Sequence, residues 1–216
     1  MESYASGMPQ GTYHHGDLRR TLLAAAVEAI TESGPAALSL RDLARRAGVS
    51  HAAPTHHFGD KAGLLTALAA EGFDLLAGAL TAVPTDRDTF LEVGVAYVRF
   101  AVEHRAHFEV MFRPDLYHAD DPELVAARAR SGAALYGGVA AAARPPSAPA
   151  APGAPAGRPE PGDGERDHVV REAGLAAWSL VHGFATLWLS GALPADLGDA
   201  PDAAARAILR RFPPAV

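Results

Sequence analysis

Between residues 39 and 61 the chain reads SLRDLARRAGVSHAAPTHHFGDK, and this stretch holds most of the side chains with chemistry to offer. Ser50, His51, Thr55, His56 and His57 bring hydroxyl and imidazole groups, and Arg41, Arg45, Arg46 and Lys61 bring cations. Such hydroxyls and imidazoles can bond base edges or phosphates, while cations suit phosphates. Catalysis fits less well. No nucleophile–base pairing, phosphate loop or pair of carboxylates at helical spacing stands out in the 216 residues. A Ser/His/Asp triad assembled from distant residues stays open, as it does in any chain this long. His14-His15 and His56-His57 are adjacent pairs whose side chains diverge, whereas a helical metal pair wants i, i+4 spacing. His104 and His107 lie three apart without an evident acidic third ligand, and cysteine is absent. Neither a metal nor a cofactor is expected. Imidazoles beside DNA would add pH sensitivity below about pH 6.5.

Local spacing predicts the elements that must carry these groups. Leu40, Leu43, Ala44 and Ala47 fall at i, i+3, i+4 and i+7, giving a helix with one apolar face. Ser39 is its expected N-cap, with Asp42 completing a capping box. Gly48 stops it, because only glycine adopts the left-handed conformation cheaply. Val49 then plugs the angle, and Ser50 is expected to cap a second helix starting at His51. That helix is short and made of small or polar residues, which suits a major groove. Pro54 falls in its first turn, where few backbone donors have partners. Upstream, Leu18, Leu22, Ala26 and Ile30 mark a helix over 17–33, capped by Asp17 and stopped by Gly34-Pro35. Downstream, Phe58 ends the reading helix and enters the core. Asp60 caps a helix from Lys61 that buries Leu64, Leu65, Leu68, Phe73 and Leu76. Lys61 therefore stands near a positive helix N-terminus, where a phosphate would be attracted. The pattern is a helix-turn-helix.

The run from Tyr13 to Phe73 resembles the N-terminal domain of TetR-family transcriptional regulators. The resemblance is carried by YHHGDLRRTLLAAAVEAITESG, LSLRDLARRAGVS and HHFGDKAGLLTAL, in that order. It implies that Arg41, Ser50, His51, Ala53, Thr55, His56 and His57 face DNA, with Lys61 on a phosphate. The bland reading of each is a cap, a packing contact or a solvated position; His57, next to Phe58, is the most ambiguous. An aromatic residue, generally Tyr, is common in the family where this chain has Thr55. That departure puts one phosphate contact in doubt. Residues 1–16 read as a flexible arm whose Tyr13-His14-His15-Gly16 can reach phosphates or a minor groove, or can be plain tail.

Charge limits the kind of reader. The chain is formally −6 with a pI near 5.9, so it is no general nucleic-acid coat. Residues 11–61 hold six Lys/Arg (19, 20, 41, 45, 46, 61) against five acids (17, 28, 32, 42, 60), a balance of +1. Binding must rest on arrangement, dimerisation and base contacts rather than bulk charge. Arg45 and Arg46 read equally as solvated positions or phosphate clamps.

Beyond Pro84 the pattern stays helical. Phe90, Val93, Gly94, Tyr97, Val98 and Ala101 trace one face of a helix from about Asp86 to His104. Phe108, Val110, Met111 and Phe112 form a dense apolar patch, and a further helix is expected over 122–142. Residues 144–166, RPPSAPAAPGAPAGRPEPGDGER, have the composition of a disordered loop. Helices resume near Asp167 and again over 199–212. The expected fold is all-α: an arm (1–16), a helix-turn-helix domain (17–60), a connecting helix (61–84) and a helical regulatory and dimerisation domain (85–216). Without cysteine, disulfide and thiol chemistry do not apply. No run approaches the roughly 18 apolar residues of a membrane span, and no signal peptide is evident, so cytoplasm is the expectation.

AYVRFAVEHRAHFEVMFRP and the Trp178–Gly183 run, Trp-Ser-Leu-Val-His-Gly, resemble the regulatory part of one TetR subgroup. The resemblance implies a homodimer enclosing a small apolar effector. Phe100, His104, Phe108, Met111, Trp178 and His182 are the candidate pocket, though aromatics and Met at helical spacing read equally as ordinary core. Leu135, Leu175, Trp178, Val181, Ala185 and Leu189 are the candidate dimer interface. The implied function is a repressor of a palindromic double-stranded operator, released by an unidentified small molecule; activation is possible on the same fold. The competing class is a helical carrier or enzyme with a degenerate reader.

Overall fold

The computed structural model describes residues 15–84, 89–142 and 163–212, and every regular element among them is helical. α1 spans His15–Ala37, with Gly34 (φ 74, ψ 165) breaking the helical path before Pro35. The first helical path therefore stops at Gly34, as expected, and a short further turn follows it through Pro35. Because His15 is already helical, Asp17 is not the N-cap expected of it. The predicted arm lies outside the described residues up to position 14.

α2 covers Leu40–Arg46, and Ser39 takes the extended N-cap position without a side-chain capping bond. The expected capping box does not form. Arg45 and Arg46 instead draw the Asp42 carboxylate along the helix, at 2.5 and 2.9 Å. The C-terminal stop forms as expected. Gly48 sits at φ 67, its N–H donates to the Arg45 carbonyl (3.3 Å), and the Val49 N–H donates to Ala44 (3.0 Å). This pair of bonds is a Schellman closure, and a side chain at that φ would be strained.

α3 covers Ala53–Phe58 and starts two positions later than expected. Ser50 does not cap it: the Ser50 carbonyl closes a turn onto Ala53 N–H at 3.0 Å, and Ala52 holds the N-cap position. Pro54 is buried in the first turn, where its missing N–H costs nothing. Gly59 (φ 78) ends the helix, and α4 (Lys61–Thr81) opens with the Asp60 carboxylate accepting from Gly63 N–H at 2.7 Å. Alone among the described helices, α4 has the length and apolarity to cross a membrane; its Leu64, Leu65, Leu68, Phe73 and Leu76 are buried in the core.

α5 (Thr89–Glu103) is buried nearly all round, with Val95, Tyr97, Val98 and Phe100 inaccessible. The chain breaks at His104 (φ −115, ψ 42) and continues as α6 (Arg105–Met111). α7 (Pro122–Ala142), α8 (Asp163–Leu189) and α9 (Pro201–Leu209) complete the bundle. α8 begins at Asp163, so 163–166 are helical rather than loop; the rest of the predicted loop lies outside the described residues. α5 packs against α4, α7, α8 and α9, while α6 packs against both α1 and α4. The α4–α6 crossing depends on Gly72, where a Cβ would sit 2.6 Å from Met111 Sδ. Two bridges fasten α9 to α5: Arg206 to both Glu92 oxygens (2.9 and 2.7 Å) and Arg99 to Asp202. One apolar core runs from Leu22 to Leu209 without a break between the two halves.

Candidate DNA-binding face and effector cavity

α2, its turn and α3 display their polar groups outward. Arg41, Ser50, His51, Thr55 and His56 are exposed, whereas Ala53 and His57 are half-buried. The His57 ring packs edge-on to His56 (5.4 Å) and beside Phe58 (6.3 Å), so it serves the helix itself as well as any ligand. Phe58 enters the core partly and carries Arg19 over its outer face at 5.6 Å.

The cations divide into two kinds. Arg46 bridges Glu32 on α1 (2.6 Å) and Asp42 (2.9 Å), and these carboxylates hold its pKa above the ordinary value. Arg45 also pairs with Asp42. Lys61 donates to the Ala36 carbonyl at 2.8 Å, pinning the start of α4 to the end of α1. Arg41 makes no hydrogen bond or ion pair among the described residues. A phosphate contact by Lys61 therefore requires exchange of an internal bond, whereas Arg41 is free to make one.

A cavity of about 490 Å³ opens between α4, α5, α6, α7 and α8. Met111, Trp178 and His182 line it as expected. Phe100, His104 and Phe108 do not. Phe100 is buried with the His104 ring against it (5.1 Å), and Phe108 stacks on His182 (5.2 Å) outside the lining. Phe108 packs behind the wall, on Tyr97 and Phe112 as well as His182.

Tyr97 organises the polar wall. Its hydroxyl donates to His182 Nδ1 at 2.9 Å and accepts from Trp178 Nε1–H at 3.2 Å. Burial pushes the phenol far above its ordinary range, so the donor is retained. Burial also lowers the His182 pKa below 6.5, which keeps the imidazole neutral and able to accept. On the opposite wall the Tyr117 hydroxyl donates to the Met111 carbonyl (2.7 Å) and accepts from Arg128. Phe73, Tyr97, Phe112, Tyr117, Arg128 and Ser131 were not foreseen as lining residues. Tyr97 and Phe112 stood in recognised apolar runs; Arg128 carried no sequence signal.

The expected dimer residues also separate. Leu175 is exposed, Leu135 and Trp178 line the cavity, and Leu189 packs partly against the core. Val181 and Ala185 are buried inside the protomer. Among the described residues, the exposed large apolar side chains of α7 and α8 are Val125, Tyr136, Val169, Leu175 and Leu187. Among the described residues no three His, Cys, Asp or Glu side chains converge as metal ligands.

This arrangement, a polar helix-turn-helix face joined through one core to a helical bundle with a cavity, matches known families along most of its length. Residues 22–68 match the family described as bacterial regulatory proteins, tetR family, and residues 90–212 match the tetracyclin repressor-like C-terminal domain. A protein of unknown function from Rhodococcus sp. RHA1 is 35% identical, with a TM-score of 0.70 over 94% of this chain and 97% of that one. PfmR of Thermus thermophilus, a TetR-family transcriptional regulator, is 21% identical with a TM-score of 0.60, covering 89% and 96%. A tetR-family regulatory protein of Rhodococcus RHA1 is 20% identical with a TM-score of 0.62, covering 90% and 94%. No curated protein matches the chain. The second family match alone takes in more than half the sequence, and with the first it leaves little of the described fold unaccounted for: the chain belongs to the TetR family of DNA-binding transcriptional regulators.

Proposed function

We propose that this regulator is a cytoplasmic homodimeric repressor, not an enzyme, that holds a palindromic operator and is released by a small molecule in the cavity. The observation that carries the reading is the route of two helices. α4 opens at Lys61 beside the reader and reaches the cavity through Phe73, Leu76 and Leu80. α6 lines the same cavity with Met111 and packs against α1, which backs the reader. A ligand that prefers a different spacing of α4 and α6 therefore moves the reader, and a coupling of about 1–3 kcal/mol suffices for ordinary allostery. In a two-fold dimer the paired α3 helices must match half-sites about 34–36 Å apart. Arg41 supplies a phosphate contact, and His51, Thr55 and His56 face base edges or phosphates.

Fluorescence anisotropy across a salt series compares DNA upstream of the protein's own gene with scrambled DNA. Tight binding to the upstream fragment alone is expected, weakened strongly by His51→Ala. Arg41→Ala should weaken all sequences alike and lower the salt slope by about 1. Absence of binding to a genomic fragment library, with or without cavity ligands, would return the choice to a helical carrier or enzyme.

A further inference from the structure

The lining of the cavity has an uneven charge. Among the described residues Arg128 is its one ionised side chain, and no carboxylate lines it. Every other lining group is apolar, aromatic, a hydroxyl or the neutral His182. Arg128 also differs from the other arginines of α7 and its neighbours. Arg130 is bound bidentately by Asp74 (2.7 and 2.9 Å) and Arg113 by Asp115 (3.0 and 2.9 Å). Arg128 has no acidic partner among the described residues; it donates to the Tyr117 hydroxyl and, at 3.3 Å, to the Ala119 carbonyl. Its guanidinium is held over the Phe73 ring (5.5 Å) and the Tyr117 ring (5.2 Å). These contacts fix the group and use only part of its five donors. A fixed, half-buried cation with spare N–H groups recognises a planar anion best, through paired charge-assisted bonds.

We infer that the effector is an apolar organic acid whose carboxylate is bound by Arg128, with its hydrocarbon or aromatic body lying between Phe112, Leu76 and Trp178. This rests on the proposal that the cavity takes the effector, and it adds the chemical class. A cavity of about 490 Å³ falls within the range of about 300–1,000 Å³ usual for small-molecule sites. A cationic ligand of the same shape would meet the guanidinium with no carboxylate to offset it.

The test uses the full chain and three matched probes: 2-naphthaleneacetate, its amide, and 2-(2-naphthyl)ethylammonium, measured by isothermal calorimetry. The acid should bind about tenfold or more tighter than the amide, and the ammonium weakest. Arg128→Met should abolish the preference, so that acid and amide bind alike, and Arg128→Lys should keep part of it. Arg113→Met, a cation outside the cavity, should change nothing. Gly132→Phe locates the site, since a Cβ there meets nothing within 4 Å and the ring would fill the space. Equal affinity for acid and amide in the unaltered protein, with both lost in Gly132→Phe, would overturn this inference and leave the effector cavity standing. That ratio needs no Arg128 variant to fold. If none of the probes binds, and the neutral dye Nile red is also excluded, the effector cavity and its acid ligand fall together.

Discussion

The reader and the cavity are built by opposite means. In the reader, the turns and caps come from bonds between residues a few positions apart, Asp60 to Gly63, Gly48 to Arg45 and Val49 to Ala44, and the longest ties, Arg46 to Glu32 and Lys61 to Ala36, span 14 and 25 positions. The exposed residues proposed to meet DNA then point away from the core. In the cavity the organising bonds join Tyr97 to His182 and Trp178, 85 and 81 positions away. There the groups proposed to meet a ligand belong to the core or pack against it. On the proposed function, an exposed reader side chain can thus be changed with little effect on folding, whereas a change in the cavity wall should alter stability and ligand binding together.

The largest test of that contrast is Phe100→Ala, a buried ring of α5 behind the cavity wall. Truncation should cost about 3–5 kcal/mol, through lost burial and the void left behind. Both tryptophans, Trp178 and Trp188, lie in α8, so their fluorescence reports only the regulatory half, while helical circular dichroism reports the whole. The continuous core predicts coincident urea transitions by the two probes, both shifted in the variant. A reader that melts separately, with circular dichroism lagging fluorescence, would break the link on which the proposed release depends.

Tyr97→Phe should have the next largest effect, about 1–2 kcal/mol. It leaves the Trp178 indole N–H and His182 Nδ1 without their shared partner. The discriminating reading is the imidazole titration of His182 by NMR. In the unaltered protein its midpoint lies below 6.5, because burial disfavours the charged form. Unchanged stability together with an unchanged His182 midpoint would mean the hydroxyl organises nothing.

A smaller effect appears in acid, and its sign follows from the direction of each shift. His182 and His104 are both lowered by burial, so the unfolded chain takes up protons first, and stability declines as pH falls below about 6.5. Glu92 is held below its ordinary 4.5 by Arg206, and Glu71 below 4.5 by His107. Their contributions are complete above 4.5 and are lost as pH falls through the lowered folded values. Urea midpoints across about pH 8 to 3 should therefore drop in two stages, and Arg206→Met should reduce the second stage. A flat profile between about pH 7 and 5 would contradict the buried neutral imidazoles.

The same contrast explains how much the sequence could reveal. The Gly48 stop, the Asp60 cap and the buried face of α4 were legible, because each depends on residues within one turn. Two local readings failed where a stronger neighbour intervened. Asp42 was drawn from its capping role by Arg45 and Arg46, and Pro54 entered a helix starting at Ala53, leaving Ser50 in the turn. The cavity was half legible. Met111, Trp178 and His182 fall on apolar stretches that point inward, but the same pattern does not separate a residue that lines the cavity from one packed behind its wall, as Phe100 and Phe108 are. Arg128 could not be found at all, since an arginine in an Ala-rich helix gives no sign of whether an acid will reach it. Val181 and Ala185 are buried within the protomer, and an apolar stripe alone does not say whether its partner is the same chain or a second copy.

The smallest effect on stability belongs to Thr55→Tyr, and it sharpens the contrast most. Thr55 is exposed on α3, and its carbonyl already accepts the Gly59 N–H at 2.8 Å, so the change leaves the backbone bonding intact. Stability should stay within about 0.5 kcal/mol, as expected of a surface site away from caps and core. DNA affinity should nevertheless rise, because a phenolic O–H at this position reaches farther than the Thr hydroxyl and can bond a backbone phosphate. The gain should be shared by operator and scrambled DNA, since a phosphate contact positions the protein without reading sequence. Affinity for the naphthalene probes should not change. If Thr55→Tyr instead weakened ligand binding or lowered the urea midpoint, reader and cavity would not be separable at this surface, and α3 would have to be counted as part of the switching core.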